Sequence, residues 1–138
     1  MSEVFISYAR STAARAQAAA AALRAQGYSV WIDEDLPAHR NFTAAIAEEL
    51  AASRAALVLW SADAAASEWV LSEANRARTE RKLVQARLDA ADLPMPFDQL
   101  QCVDLTGWTG GTDHAAWAKV LASIETLVRR GPDGGRAP

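Results

Sequence analysis

The sequence has few of the residues that build disulfides and metal sites. Its 138 residues include one cysteine, Cys102, and two histidines, His39 and His114, which are far apart along the chain. A single cysteine cannot form an internal disulfide, and dispersed histidines do not provide the clustered ligands that a bound metal requires. We therefore expect a protein of a reducing compartment with no metal and no metal cofactor, in which Cys102 is a buried strand residue.

Long apolar runs are also missing. Runs such as residues 18–23 and 55–60 are far shorter than the roughly 20 residues that a membrane-spanning helix needs. The first three residues, MSE, do not begin the basic and apolar regions of a signal peptide. The sequence therefore predicts a soluble cytoplasmic protein with no membrane partner.

The chain has no excess of basic residues and no common phosphate-binding motif. Fourteen lysines and arginines stand against 17 aspartates and glutamates, which gives a net charge of −3. Proteins that bind a nucleic-acid backbone need a basic field, so we expect no nucleic-acid partner. Neither G-x-x-x-x-G-K-[ST] nor G-x-G-x-x-G occurs, and no serine lies in a nucleophile elbow.

What the sequence does contain is a regular alternation of strand and helix patterns. Helix patterns occur at 13–26, from 41, from 68 and from 114 to 130, and each of them follows a strand pattern. Asp113 is predicted to cap the last helix. This order predicts an α/β domain, with a parallel sheet covered by helices on both faces. The strands are predicted at 3–7, 28–32, 55–60, 83–88 and 102–105.

The length fits one domain, over residues 1–130, followed by a tail. Residues 131–138 include three glycines and two prolines, a composition typical of a flexible linker leading to a further domain. In parallel α/β sheets, functional residues lie beyond the carboxyl ends of the strands. Residues 7–10, 33–40 and 61–73 follow three such ends, so we expect these segments to meet at one edge of the sheet.

The most informative stretch is residues 67–73, SEWVLSE. Ser67 is a typical N-cap, and Glu68 places a negative charge in the first helical turn. Trp69 and Glu73 are four residues apart, so a helix presents them on one face. An indole can stack on a planar base, while a carboxylate can meet sugar hydroxyls or a developing positive charge. The alternative is a core tryptophan beside a solvated helix glutamate.

Four stretches follow one another along the chain: 4–8 (VFISY), 30–37 (VWIDEDLP), 59–61 (LWS) followed by 67–73 (SEWVLSE), and 96–97 (PF) together with 105–108 (LTGW). Together they resemble the TIR (Toll/interleukin-1 receptor) domain, particularly its bacterial NAD-hydrolase branch. The resemblance covers residues 2–130. It implies a flavodoxin-like three-layer sandwich with a five-stranded parallel sheet. It also implies either signalling through self-association or cleavage of NAD⁺ at the nicotinamide–ribose bond.

The resemblance also implies roles for individual residues. Glu73 matches the catalytic glutamate of the enzymatic members, and Trp69 matches the aromatic residue that precedes it by four positions. Many scaffolding members lack this glutamate, so its presence favours an NAD⁺ hydrolase. The substrate is NAD⁺ and no cofactor is implied; water would give ADP-ribose, and the adenine would give a cyclic isomer. Both products stay open.

Other residues are expected to wall the substrate pocket. Ser7 ends the first strand, and Tyr8 and Arg10 lie on the loop that follows it, where Arg10 meets the diphosphate or remains a surface arginine. Asp33 ends the second strand, where it accepts a hydrogen bond from a ribose hydroxyl or caps a helix or loop. One carboxylate can suffice for this cleavage. The leaving pyridinium is already cationic, so it does not need a proton from a second acid.

A loop at 34–41 is implied to dock on a neighbouring copy of the domain and to complete the site. In this chain Ala38-His39 stands where bacterial members usually have glycine after the proline. The resulting hypothesis is an enzyme activated by self-association, acting in antiphage defence. The alternative is a non-catalytic adaptor that signals through contacts between TIR domains. The residues assigned to self-association are Leu36, Pro37, His39 and Arg40.

Overall fold

The computed structural model describes residues 2–32, 42–111 and 113–130. Within these ranges five strands form one parallel sheet in the order β2-β1-β3-β4-β5. The predicted flavodoxin-like α/β fold is therefore confirmed. The strands are β1 (Val4–Tyr8), β2 (Val30–Ile32), β3 (Ala55–Trp60), β4 (Leu83–Arg87) and β5 (Val103–Asp104).

The central strand, β3, explains the order of the sheet. All six of its residues are buried, as expected for an apolar run without alternation that is covered on both faces. It pairs with β1 on one side and with β4 on the other. At the sheet edge, β5 is shorter than predicted, because only two of its residues pair with β4. Cys102 therefore precedes the strand and is half-buried, and its prediction as a buried strand residue is wrong.

The helices lie in the predicted places, with one additional helix and one correction at a helix start. A short helix after β3 was not predicted. The last helix begins one residue later than expected, because His114 and not Asp113 is its cap: the His114 Nδ1 accepts the Ala116 N–H at 3.2 Å. No helix in the described ranges is long and apolar enough to cross a bilayer. The helices are α1 (Ala13–Ala25), α2 (Phe42–Ala52), α3 (Ala62–Ala65), α4 (Glu68–Thr79) and α5 (Ala115–Arg130).

The helices form a layer on each face of the sheet. Alternate residues of a strand point to opposite faces, so β1 contributes to both cores. On one face α1 and α5 pack around a stacked pair, Trp108 and Trp117, whose ring centroids are 4.5 Å apart. On the other face Phe5 stacks on Trp31 at 5.0 Å, in a cluster shared with α2 and α4. This second face carries the residues discussed next.

Candidate functional site

The first turn of α4 is fixed by a cap that the sequence predicted. Ser67 Oγ accepts the Val70 N–H at 3.3 Å, which satisfies one of the free amides at the helix start. Val70 and Ala74 turn toward the core of the domain and are buried. Trp69, just before Val70, is 57% exposed. The alternative of Trp69 as a core residue is wrong.

Glu73 is held by a residue on the neighbouring strand. The hydroxyl of Ser7 donates to Glu73 Oε1 at 2.6 Å, joining β1 to α4 across 66 residues of sequence. Ser7 is only 2% exposed, and Glu73 is half-buried. A short hydrogen bond from a buried hydroxyl to a carboxylate is among the stronger neutral-donor contacts in proteins. Glu73 is thus oriented by the sheet, and the alternative of a solvated helix residue does not describe it.

Ser7 and Tyr8 project to opposite faces of the sheet. Tyr8 packs against the core formed with α1 and α5, whereas Ser7 faces α4. Arg10 follows in a short 3-10 turn and is exposed. The structure therefore joins Ser7 to Glu73 and leaves Trp69 exposed one helical turn before Glu73, while the contacts of Tyr8 and Arg10 with a substrate stay predictions.

Two of the segments expected to meet at one edge of the sheet, 7–10 and 61–73, do so through the bond from Ser7 to Glu73. Further polar residues join them. Ser11 Oγ, in the loop after β1, donates to Asp63 Oδ2 of α3 at 2.6 Å. The segment after β4 joins them, because Asp89 Oδ2 accepts the Ala62 N–H at 3.1 Å. None of these three polar residues was predicted individually from the sequence. Their signal was their position, since each lies just beyond the carboxyl end of a strand.

The remaining predicted residues cannot be placed. Asp33 and the loop at 34–41 lie outside the described residues, and so do the side chains assigned to self-association: Leu36, Pro37, His39 and Arg40. Their roles stay predictions.

Two cavities lie on the β4 side of the domain and involve neither Trp69 nor Glu73. One has a volume of about 480 Å³ and the other about 300 Å³. Cys102 lines the larger one. Burial raises the pKa of its thiol to about 11, so at neutral pH it is protonated and a poor nucleophile. Among the residues that the structure describes, no group of three or more His, Cys, Asp or Glu side chains could hold a metal ion.

Comparison with known proteins identifies the architecture. A profile of the family described as TIR domain matches residues 4–121. No curated protein sequence matches the chain. One similar solved structure is the TIR domain of the Toll-related receptor TRR-2 from Hydra magnipapillata, with a TM-score of 0.76 and 14% identity, covering 94% of this chain and 99% of that one.

Two further solved structures share the fold. A metazoan TIR-STING receptor from C. gigas, in complex with 2′,3′-cGAMP, has a TM-score of 0.73 and 20% identity; the match covers 90% of this chain but 39% of the receptor. The TIR domains of the activated Roq1 resistosome, which recognises the pathogen effector XopQ, have a TM-score of 0.63 and 15% identity, with coverage of 94% and 99%. At these identities the likeness concerns the fold alone.

Proposed function

The chain belongs to the TIR domain family, and from that premise we propose that it is an NAD⁺ hydrolase with Glu73 as its catalytic carboxylate. The observation that carries the proposal is the 2.6 Å hydrogen bond from Ser7 to Glu73, which holds a carboxylate at the carboxyl end of β1. Catalytic carboxylates in parallel α/β folds lie at this edge.

The proposed reaction breaks the bond between nicotinamide and its ribose. The bonding electrons leave with nicotinamide, which departs as a neutral base, and positive charge develops on the ribose. The Glu73 carboxylate accepts hydrogen bonds from the ribose hydroxyls and stabilises this charge. Water then attacks the anomeric carbon and loses a proton, giving ADP-ribose, or a nitrogen of the adenine attacks and gives a cyclic isomer.

Ser7 and Trp69 support this chemistry in different ways. The Ser7 hydroxyl fixes one carboxylate oxygen, so that the Glu73 side chain does not need to be ordered when substrate arrives. Trp69 lies one helical turn before Glu73 and is 57% exposed. A nicotinamide or adenine ring stacked on this indole would cover its exposed face.

Self-association is the second part of the proposal. Proteins of this family typically self-associate, and the Roq1 TIR domains were solved in a resistosome. We assign the corresponding contact to the loop at 34–41, which would complete the site from a neighbouring copy. A role as an antiphage effector in bacteria belongs to the same proposal.

The test is nicotinamide release from NAD⁺ by the concentrated full chain. Glu73→Gln keeps the size of the side chain and an oxygen that can accept from Ser7, but removes the charge, so we expect release to fall at least about a hundredfold. Glu68→Gln is the matched control: it removes an exposed carboxylate from the same helix and should leave the rate within about twofold. Equal rates for Glu73→Gln and the unmodified chain would refute the assignment.

A non-catalytic adaptor is the second candidate, because an exposed tryptophan on a helix is also typical of a protein–protein contact. It predicts no nicotinamide release at any protein concentration, together with loss of self-association in Trp69→Ala. The hydrolase predicts release by the unmodified chain and a raised KM in Trp69→Ala.

A further inference from the structure

One face of β4 is crossed by a loop segment that divides it into two hollows. Leu83, Gln85 and Arg87 alternate along the strand and so share this face. The buried Gln85 side chain holds the crossing segment, residues 93–101, through its Nε2, which donates to the carbonyls of Phe97 at 3.3 Å and Gln101 at 3.1 Å. Its Oε1 accepts the indole N–H of Trp60 at 2.9 Å, so the amide of Gln85 is fixed at both ends.

The hollow at the amino end of β4 is basic. Arg78, near the end of α4, and Arg81, in the turn before β4, line it above an apolar floor that includes Leu83. Arg78 donates to the Asn75 amide oxygen at 2.7 Å, which leaves its charge unneutralised. Among the described residues neither guanidinium forms an ion pair, and both are exposed. This basic hollow carries two positive charges.

The hollow at the carboxyl end of β4 is acidic. Three carboxylates, those of Asp92, Asp98 and Asp104, line it together with one guanidinium, that of Arg87. A nitrogen of the Arg87 guanidinium lies 3.8 Å from Asp104 Oδ2, which forms a long ion pair. Both side chains are more than a third exposed. Asp92 and Asp98 are exposed and form no ion pair within the described ranges. This acidic hollow therefore has a net charge of −2.

Leu100 stands between the two hollows and lines both of them. It is 41% exposed, one of three large hydrophobic side chains with substantial exposure among the described residues. The face therefore has an apolar centre, with equal and opposite charges on its two sides.

We propose that this face is a contact between two copies of the chain related by a two-fold axis near Leu100. A two-fold axis brings the acidic hollow of each copy over the basic hollow of the other, so both charge pairings are satisfied at once. The Leu100 side chains then meet at the centre, away from water. An acidic or basic partner of another kind would neutralise only one hollow. The contact is separate from Glu73, and it does not depend on the proposed hydrolase activity.

Charge reversal of each hollow gives the test, with the weight-average mass of the full chain measured by sedimentation equilibrium at low ionic strength. The double variant Arg78→Glu/Arg81→Glu makes the basic hollow acidic, and Asp92→Arg/Asp98→Arg makes the acidic hollow basic. Each double variant should raise the dissociation constant of its own dimer at least about tenfold, because like charges then face each other twice.

An equimolar mixture of the two double variants should associate again, because both pairings become attractive in the mixed dimer. A chain carrying all four reversals should also dimerise, since its two hollows have only exchanged their signs. The controls are Lys119→Glu and Glu125→Arg on α5, on the opposite face of the sheet, which should leave the dissociation constant unchanged.

Circular dichroism confirms that each variant is folded. An unmodified chain that stays monomeric at every concentration would overturn the proposal, and so would a double variant that associates as strongly as the unmodified chain. Association that is lost in the variants but not restored on mixing would overturn it as well, since it would indicate a contact without the two-fold pairing.

Discussion

Replacing Ser7 with alanine is expected to slow nicotinamide release while the fold is retained. The substitution removes one hydroxyl, which donates to Glu73 Oε1 at 2.6 Å from a position that is 2% exposed. A hydrogen bond to a charged group contributes about 1.5–3 kcal/mol. If Glu73 must be held in place for the transition state, that loss corresponds to a fall in kcat of roughly ten- to a hundredfold.

The division between kcat and KM identifies the role of Ser7. A residue that only positions Glu73 should change kcat and leave KM within about twofold, because it makes no contact with substrate. Ser7→Thr keeps the hydroxyl and should recover most of the rate. Ser72→Ala is the matched control, because Ser72 is an exposed serine beside Glu73 on the same helix.

Nicotinamide release is followed at several NAD⁺ concentrations, and thermal unfolding is measured in parallel. An unchanged kcat in Ser7→Ala would refute the reasoning. So would a fall in activity that Ser7→Thr shares in full, since the hydroxyl would then be irrelevant.

Three further predictions concern groups outside the proposed site. Gln85→Leu should lower the free energy of unfolding in urea by at least about 2 kcal/mol, because it leaves the buried Trp60 N–H without its acceptor. Burial raises the pKa of Glu80, but hydrogen bonds from Lys82 and a neighbouring arginine outweigh it and lower the pKa below its usual value of 4.5. This stabilisation is complete above pH 4.5 and is lost as the pH falls through the lower folded-state pKa. The free energy of unfolding of Glu80→Gln should therefore fall less steeply with decreasing pH below 4.5 than that of the unmodified chain. Cys102 should react slowly with iodoacetamide at neutral pH in the folded protein and rapidly in urea, since burial raises the pKa of its thiol to about 11.

Matched controls separate these effects from general damage. Gln99→Leu changes an exposed glutamine of the same crossing segment and should alter the unfolding free energy by less than about 0.5 kcal/mol. Equal alkylation rates of Cys102 with and without urea would contradict the burial argument.

The fold was predictable where local patterns and tertiary packing agree. The apolar run of β3 predicted a strand covered on both faces, and all its residues are buried. Ser67 was predictable as a cap because its side chain accepts from the helix that it begins. The predictions failed where the bounds of a helix or strand depend on more than the local sequence. Both Asp113 and His114 can cap a helix, and β5 ends where its pairing with β4 stops.

The candidate site around Glu73 and the proposed contact face on β4 differ in how far the sequence predicts them. Helical spacing alone placed Trp69 and Glu73 on one side of α4, because that relation is local. The partner of Glu73 is 66 residues away, and its pairing depends on the order of strands in the sheet. Once that order is known, alternation along β1 selects Ser7 and excludes Tyr8.

The two hollows on β4 could not be predicted from the sequence, because several distant elements form them. Their charged residues come from α4, the turn before β4, β4 itself, the loop after it, the crossing segment and β5, and no spacing in the sequence relates them. The buried amide of Gln85 holds the segment in place. In the sequence that glutamine is only one polar position of an alternating strand, which predicts an exposed side chain. One polar residue at a core position thus sets both the division of the face and the separation of its charges. A buried polar group whose bonds are satisfied specifies an arrangement that an apolar residue of the same size would leave open.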